Sequence, residues 1–569
     1  VYKRQVLQLQ NAKYAARASS GKFCTLYPVD DDQLERCLKE LGAELEGEAG
    51  PYILSDVRWG QGPLYLRYGA FVERRRRSAT GALELAFADP EGNLVPDVRA
   101  PRFEVPDWAP VPGFLRPVLD ERLGARSGSL PYQVEQALHF SNAGGIYLAC
   151  DPETGRQVVL KEARPHAGLD QRGTDAVTRL RHECAMLELL SGVPQVPELV
   201  GRLTAWEHEF MVQEYVEGET LSAWLTREYP LVHPDADDRT VASYTERVLS
   251  LLAQIEAGLA AIHARGVVFG DLHPQNLMVR PDGSIVFLDF ELASRVDEFL
   301  APALGAAGFA VPGLTGREVD LRALAALKLW FFLPLQQMLQ LDPGKAGELA
   351  EAAARRFPLP PGFATGLARD LAVRGTGPAT VRQVVSDTER AALKGLLTAP
   401  EPDWPALRDS IADGIRAAAT PERTDRLFPG DIAQFEVDAL SLAYGAAGVL
   451  YALHVTGSGV DPEHVAWLTA AERRRDPRPG LWTGSHGVAY TLDLLGHPGP
   501  ARELLEQLLV LPPEQQGSDL AGGLPGTILT LLHFIGSQGE GQGEGEGPLL
   551  AHALAAADLL ARRQDERPA

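Results

Sequence analysis

The run Gly270-Asp271-Leu272-His273-Pro274-Gln275-Asn276, followed by Leu288-Asp289-Phe290-Glu291, constrains this chain more than any other feature. It sets an acid, an amide five residues later, and a second acid thirteen residues after the amide. Phosphoryl transfer uses such groups in this order: a carboxylate that orients a hydroxyl and accepts its proton, then an amide and a carboxylate that hold magnesium. The flanking residues supply a matching backbone. Ile262-His263-Ala264-Arg265-Gly266 reads as a helix end and a glycine turn, and Val267-Val268-Phe269 as a short apolar strand. Asp271 is then expected in a loop as catalytic base, with Asn276 and Asp289 as metal ligands and Asp289 closing a strand over 285–288. His273 is expected to bond the loop's own backbone, because Asp271 already fills the role of base.

The parts a nucleotide site requires lie upstream. Phe140-Ser141-Asn142-Ala143-Gly144-Gly145-Ile146-Tyr147 can turn two strands over phosphates, with Gly144 and Gly145 allowing close backbone approach. Val158-Val159-Leu160-Lys161 ends an apolar strand on a lysine suited to the α- and β-phosphates. Periodicity predicts a helix over 176–190, and Glu183 on it is the candidate ion-pair partner of Lys161. Phe210-Met211-Val212-Gln213-Glu214-Tyr215-Val216-Glu217-Gly218 reads as a strand running into a hinge, with Glu214 and Val216 positioned for a purine. After Asp289, Gly308-Phe309-Ala310-Val311-Pro312 reads as the end of an activation segment, and Asp320 opens the next helix.

With 569 residues the chain exceeds one domain. Residues 126–395 form the bilobal α+β kinase-like region. Before it, 1–125 mixes strand patterns at 23–27 and 64–68 with a helical pattern over 31–45, and ends in a Pro-rich segment, 101–117, expected as an extended linker. After it, 396–569 carries an internal repeat. Gly445-Ala446-Ala447-Gly448, Gly484-Ser485-His486-Gly487 and Gly523-Leu524-Pro525-Gly526 recur every 39 residues, each before an apolar helical run. That period signals stacked helical pairs, the glycines permitting tight turns before inner helices. The low-complexity run 536–547 reads as a loop. His486 is expected to serve local structure rather than a metal.

A formal charge of −22 argues against nucleic acid or an anionic membrane as partner. The run Arg74-Arg75-Arg76-Arg77 is expected as a solvated turn. Cys24, Cys37, Cys150 and Cys184 form no C-x-x-C pair, which fits a reducing cytoplasm. The longest apolar stretch, 329–335, is too short to span a bilayer.

The whole chain resembles the class III lanthipeptide synthetases, which join lyase, kinase and cyclase domains in that order. The resemblance rests on Arg17-Ala18-Ser19-Ser20-Gly21-Lys22-Phe23, Gly50-Pro51-Tyr52-Ile53-Leu54-Ser55-Asp56-Val57-Arg58, Val159-Leu160-Lys161-Glu162-Ala163-Arg164-Pro165-His166-Ala167-Gly168 and Phe269-Gly270-Asp271-Leu272-His273-Pro274. It implies an α+β phosphothreonine-lyase-like domain over 1–125, the kinase-like domain, and an all-α, α/α-toroid cyclase-like domain over 396–569. Phe-Gly-Asp replaces the usual His-Arg-Asp and Asp-Phe-Glu the usual Asp-Phe-Gly, while the Asp-x-x-x-x-Asn…Asp skeleton survives. The family implies ATP or GTP, Mg²⁺ and a ribosomally made precursor peptide, a leader joined to a Ser/Thr/Cys core. Its serines and threonines would be phosphorylated, stripped of phosphate to dehydroamino acids, and joined to cysteine thiols as lanthionine or labionin.

By the same resemblance Lys22 is the lyase base, and Arg58 and Arg67 clamp the phosphate. The family's lyase acid is a histidine upstream of that lysine. The first histidine here is His139, so this acid, the true N-terminus and the end of the cyclase are expected to be missing. No zinc is predicted, since 396–569 holds no cysteine. The alternatives are a stand-alone Ser/Thr or small-molecule kinase and a non-catalytic peptide-binding scaffold. The 39-residue repeat opposes the first, and Lys161, Asp271, Asn276 and Asp289 together oppose the second.

Overall fold

Asp30 caps helix α1 (Asp31–Glu44) through a 2.8 Å bond from Gln33 N–H, as the spacing predicts. The computed structural model describes residues 8–13, 15, 20–53, 55–72, 74–77, 83–97, 105–125, 130–299, 305–372, 387–536 and 546–565. These fall into two compact units, one within 1–74 and 85–384 and the other within 75–84 and 385–569. In the first, β1 (Val57–Arg58) pairs antiparallel with β2 (Tyr65–Leu66), setting Arg58 opposite Tyr65. The strand expected over 64–68 is thus shorter. The one expected over 23–27 does not form: Phe23, Leu26 and Tyr27 are exposed, and the segment joins no ladder. The four arginines, expected as a turn, form strand β3 (Arg74–Arg77), where Arg76 Nε bonds Glu84 at 2.7 Å. β4 (Leu83–Ala88) and β5 (Leu94–Pro96) pair with Ala86 opposite Pro96. The Pro-rich segment is not all linker. Residues 101–104 lie outside the described set, but Gly113–Leu115 is a 3-10 turn and Arg116–Ala125 is helix α2, with Pro117 in its first turn, where no N–H is needed.

The kinase-like region begins with five antiparallel strands in the order β6 (Gln133–Phe140), β7 (Gly145–Cys150), β8 (Gln157–Ala163), β10 (His208–Glu214), β9 (Leu199–Ala205). Alternation on β8 decides which side chain faces where. Val158 and Leu160 pack with Ala149, Phe210 and Val212 on one face, so Lys161 turns to the other. Helix α3 (Ala176–Leu189) lies there, capped by Asp175 through Thr178 N–H at 3.0 Å.

A second, mostly helical part follows. β11 (Glu219–Thr220) leads into α4 (Leu221–Glu228), and Asp237 caps the long α5 (Asp238–Ala264). Gly266, at φ 73°, then turns the chain into β12 (Val267–Val268). β13 (Leu277–Val279) and β14 (Ile285–Phe287) form a hairpin, β15 (Ser294–Arg295) pairs with β12, and α6 (Arg317–Phe332) crosses the core beside α5. Residues 329–335 are the end of α6 and its exit, where Phe331 and Phe332 are fully buried. No helix among the described residues is long and apolar enough to cross a membrane.

In the second unit the sequence period appears as helix starts at Ala446, Ser485 and Leu524, each 39 residues after the last. Partner helices Pro462–Glu472, Pro498–Leu509 and Glu546–Asp565 follow each of them. The repeated glycines answer to close approach rather than to left-handed backbone. A Cβ at Gly448, Gly487 or Gly526 would stand 2.0, 2.0 or 2.3 Å from the carbonyl oxygen of Leu442, Leu481 or Leu520. Gly487→Ala is accordingly expected to destabilise the protein by about 1–3 kcal/mol, the usual cost of overpacking. Gly414, in the last turn of its helix with open space around its Cβ, is the control: Gly414→Ala should stabilise by about 0.5–1 kcal/mol. Denaturant unfolding of both variants reads the contrast, and equal shifts would sink the explanation. Of the low-complexity run, residues 537–545 lie outside the described set. His486 is buried, and its Nδ1 accepts from Gly480 N–H at 3.1 Å. Burial, with a smaller push from His552, lowers its imidazole to about 3, so it is a neutral acceptor within its turn.

Candidate active site

Strand β8 and helix α3 bring Lys161 and Glu183 together. Lys161 Nζ lies 2.6 Å from Glu183 Oε2 and 3.2 Å from Asp289 Oδ1. Burial opposes a charge on this lysine, but the Asp289 and Glu183 carboxylates outweigh it and hold the ammonium above the usual lysine range. Burial also acts to raise the Asp289 carboxyl; Lys161 first, then Lys13, overcome it, and Asp289 sits below the ordinary aspartate value. Both are therefore charged at neutral pH.

The β13–β14 hairpin explains why thirteen residues separate Asn276 from Asp289. Leu277 pairs with Phe287, so the chain returns to where it left, and Leu288 N–H donates to Asn276 O at 2.8 Å. Asp289 follows the strand rather than closing it, at the left-handed φ of 60°. A residue with a Cβ is held there at a cost of about 1–3 kcal/mol, which its ion pair offsets. Asn276 Nδ2 donates to Asp271 Oδ2 at 2.9 Å and to Asp271 O at 3.1 Å, so Oδ1 is the atom it can offer a cation. His273 Nδ1 accepts from Gln275 N–H at 3.3 Å, and its Nε2 stands 3.5 Å from Asp271 Oδ2.

The glycine turn is pinned from below. Gly144 lies against β8, where a Cβ would stand 2.0 Å from Glu162 O, and Arg164 N–H donates to Ala143 O at 2.8 Å. A Cβ at Gly145 would meet the Tyr147 ring at 2.4 Å. At the end of β10 the Glu214 carboxylate takes Arg280 Nη2 at 2.7 Å, which commits its side chain to structure. Val216, buried, lies in the link from β10 to β11.

The lysine expected as lyase base and the two arginines expected to clamp phosphate gather around the β1–β2 hairpin. Lys22 Nζ lies 3.2 Å from Asp56 Oδ1 and 3.3 Å from Ser55 Oγ. Asp56 lies in the bend just before β1 and Arg58 within it, and Arg67 continues the opposite strand beyond Leu66, the partner of Val57. Arg58 Nη1 pairs with Glu207, at the β9–β10 turn, and Arg67 Nη2 pairs with Asp97. The turn is seated by Trp206, whose ring meets Tyr52 edge-on at 4.2 Å. Residues 16–19, just before this site, lie outside the described set.

Sequence reasoning missed Asp56, Asp97 and Glu207, and it missed what Asp320 does. Asp320 sits in the first turn of α6, wholly buried, and accepts from Gly270 N–H at 2.7 Å, Phe269 N–H at 2.8 Å and His263 Nε2 at 2.8 Å. The only local signal is a second acid, after Glu318, in the first turn of a helix whose later turns are mostly apolar. Among the described residues no group of three or more His, Cys, Asp or Glu is placed to hold a metal. Asn276 Oδ1 and the Asp289 carboxylate are hard oxygen donors suited to magnesium, whose remaining ligands come from substrate phosphates and water.

Comparison with known proteins agrees with this geometry. Residues 1–125 match the family described as RamC, N-terminal domain, and residues 132–314 match the protein kinase domain. The chain is 45% identical to the probable SapB synthase of Streptomyces coelicolor, over 94% of this chain and 61% of that protein, so it spans about three-fifths of the relative's length. It is also 27% identical to the serine/threonine-protein kinase Pkn1 of Myxococcus xanthus, over 60% of this chain and 45% of that protein. Against the serine/threonine-protein kinase PrkC of Bacillus subtilis the identity is 26%, over 34% of this chain and 29% of that protein. With a RamC-type N-terminal domain leading into a protein kinase domain, and 45% identity to a SapB synthase over nearly its whole length, the chain resembles the class III lanthipeptide synthetases.

Proposed function

We propose that the protein phosphorylates serine and threonine side chains of a ribosomally made precursor peptide in the cytoplasm, as the first step of thioether-ring formation. The observation that carries this reading is the joined set Glu183–Lys161–Asp289 beside Asp271–Asn276. Asp271 orients the peptide hydroxyl and takes its proton, while Lys161, fixed by Glu183, neutralises the nucleotide phosphates. Gly144 and Gly145 let the backbone approach those phosphates, and the stretch from Glu214 to Val216 meets the purine of ATP or GTP. Magnesium, held by Asn276 and Asp289, would screen the charge that develops on the transferred phosphoryl group.

The domains 1–125, 126–395 and 396–569 then act in turn on one peptide. In the first, Lys22 takes the Cα proton of the phosphorylated residue, the Cβ–O bond breaks, and phosphate leaves a dehydroamino acid. Arg58 and Arg67 hold that phosphate; Glu207 and Asp97, which pair with them here, mark positions where an anion is already bound. The helical repeats of 396–569 hold the peptide while cysteine thiols add to the alkenes, with no zinc required.

Mass spectrometry of a Ser-rich leader–core peptide, incubated with the protein, Mg²⁺ and ATP or GTP, is the test. A gain of about 80 Da per site, one phosphoryl group, is the expected result. A loss of about 18 Da per site would show that elimination follows in the same chain. An unchanged peptide with both nucleotides would overturn the proposal.

A further inference from the structure

The chain near its start reaches the phosphoryl-transfer site. Asn11 O accepts from Leu169 N–H at 2.7 Å and Leu169 O accepts from Lys13 N–H at 2.9 Å, so residues 11–13 lie as a short parallel bridge on the loop between β8 and α3. Ala12 O accepts from Asn142 Nδ2 of the glycine turn at 2.9 Å. On the other side, Asn11 Oδ1 accepts from Gly21 N–H at 2.9 Å, next to Lys22. The strap thus touches the phosphate loop, the support of α3 and the loop of the lyase lysine.

Its side chain goes further. Lys13 Nζ bonds both carboxylate oxygens of Glu291, at 2.9 and 3.0 Å, and Arg179 Nε stands 2.8 Å from Glu291 Oε1. Glu291 is two residues past Asp289, at the place where many kinases carry glycine, and its side chain is only 11% exposed. Arg179 is one helical turn from Glu183 on α3, and His182 Nε2 bonds Ala293 O at 2.6 Å. Three carboxylates (Glu183, Asp289, Glu291) therefore meet three cations (Lys161, Arg179, Lys13) around one turn of chain. Without Lys13 a buried carboxylate is short of one partner, and it repels the Asp289 carboxylate and the nucleotide alike.

We infer that Lys13 is a positioning residue for phosphoryl transfer: by holding Glu291 it sets the 289–293 turn, and it does so from a strap bonded to the loop that carries Lys22. This rests on the kinase reading above. The strap supplies within the same chain an ion pair that orders the metal-binding turn, as new arginine–phosphate pairs order the activation loops of other kinases. Phosphorylation is thereby made conditional on the N-terminal region being docked.

Initial rates on the leader–core peptide, with MgATP and peptide varied separately, test this in the full chain. Lys13→Ala is expected to lower kcat/KM for MgATP by about 10- to 100-fold, the effect of small misplacement at a reacting centre, with the peptide KM unchanged. Lys13→Arg should restore most of it. In a Glu291→Gln background, where the charge is gone, Lys13→Ala should add less than about a twofold effect. Equal losses in both backgrounds, or a change confined to the peptide KM, would overturn the inference. Should Lys13→Ala fail to fold, Lys13→Gln in the two backgrounds reads the same coupling. Full activity of Lys13→Ala in a protein that phosphorylates the peptide overturns the inference alone, and a wild-type protein that phosphorylates nothing overturns both readings.

Discussion

Asp289→Asn is expected to reduce phosphorylation of the leader–core peptide at least about a thousandfold, the scale for losing a charge that acts on the transition state. Two demands converge on this carboxylate. On the function proposed above it holds magnesium together with Asn276, and it is 3.2 Å from the Lys161 ammonium. Asparagine keeps the size of the side chain and, of the non-glycine residues, is among those that best tolerate the left-handed φ found here. The backbone therefore has no reason to move, and the loss can be assigned to charge. The Lys161–Glu183 pair at 2.6 Å survives the substitution, so binding of a fluorescent nucleotide in the absence of metal should persist within a few-fold. Mass spectrometry of the peptide across a Mg²⁺ titration makes the measurement. Undiminished phosphorylation at ordinary magnesium would remove Asp289 from the site.

What the sequence made legible was chemistry whose spacing is set by a single local element. Asp271, Asn276 and Asp289 lie on one loop and the hairpin that follows it, so their order survives in the chain as a motif. Helix α3 and the 39-residue period were readable for the same reason, because periodic burial writes itself into neighbouring residues. Contacts closed only by the tertiary fold left no trace. Lys13 and Glu291 are separated by 278 positions, Arg58 and Glu207 by 149, and neither partner is unusual among its neighbours. Strand readings failed where pairing, not propensity, decides. Phe23, Leu26 and Tyr27 have strand-like alternation but join no ladder, while four consecutive arginines, poor strand formers by pattern, form one.

The arginines of the N-terminal region show how far residue type leads and where it stops. The sequence resemblance marked Arg58 and Arg67 as clamps for a phosphate; in the structure Arg58 pairs with the Glu207 carboxylate and Arg67 with that of Asp97. Glu207 comes from a turn of the kinase-like sheet, fixed by Trp206 on Tyr52. With Lys13 on Glu291, this makes two ion pairs running between the N-terminal region and the kinase-like region, in opposite senses of charge.

The second large effect is expected at Asp320, which touches no reacting group. Its two oxygens accept from two successive backbone N–H groups, those of Phe269 and Gly270, immediately before Asp271. Gly270 itself sits at φ 79°, a backbone conformation that glycine adopts without steric strain. Asp320→Ala leaves both N–H groups and His263 without their acceptor in a fully buried place, and each orphaned group costs about 1–3 kcal/mol. A loss of about 3–5 kcal/mol is expected, the range for removing one partner from a buried charged network. The unfolding transition of the kinase-containing unit should move accordingly. Asp320→Asn separates stability from placement. Its amide oxygen can satisfy one N–H, but its NH₂ meets the other, donor against donor, which tilts the loop while sparing the core volume. That variant should fold and still lose about a hundredfold in phosphorylation rate, because a loop displaced by an ångström carries Asp271 away from the hydroxyl it must orient. Retention of the wild-type rate by a folded Asp320→Asn would mean that Asp271 is held in place by its bond to Asn276 alone.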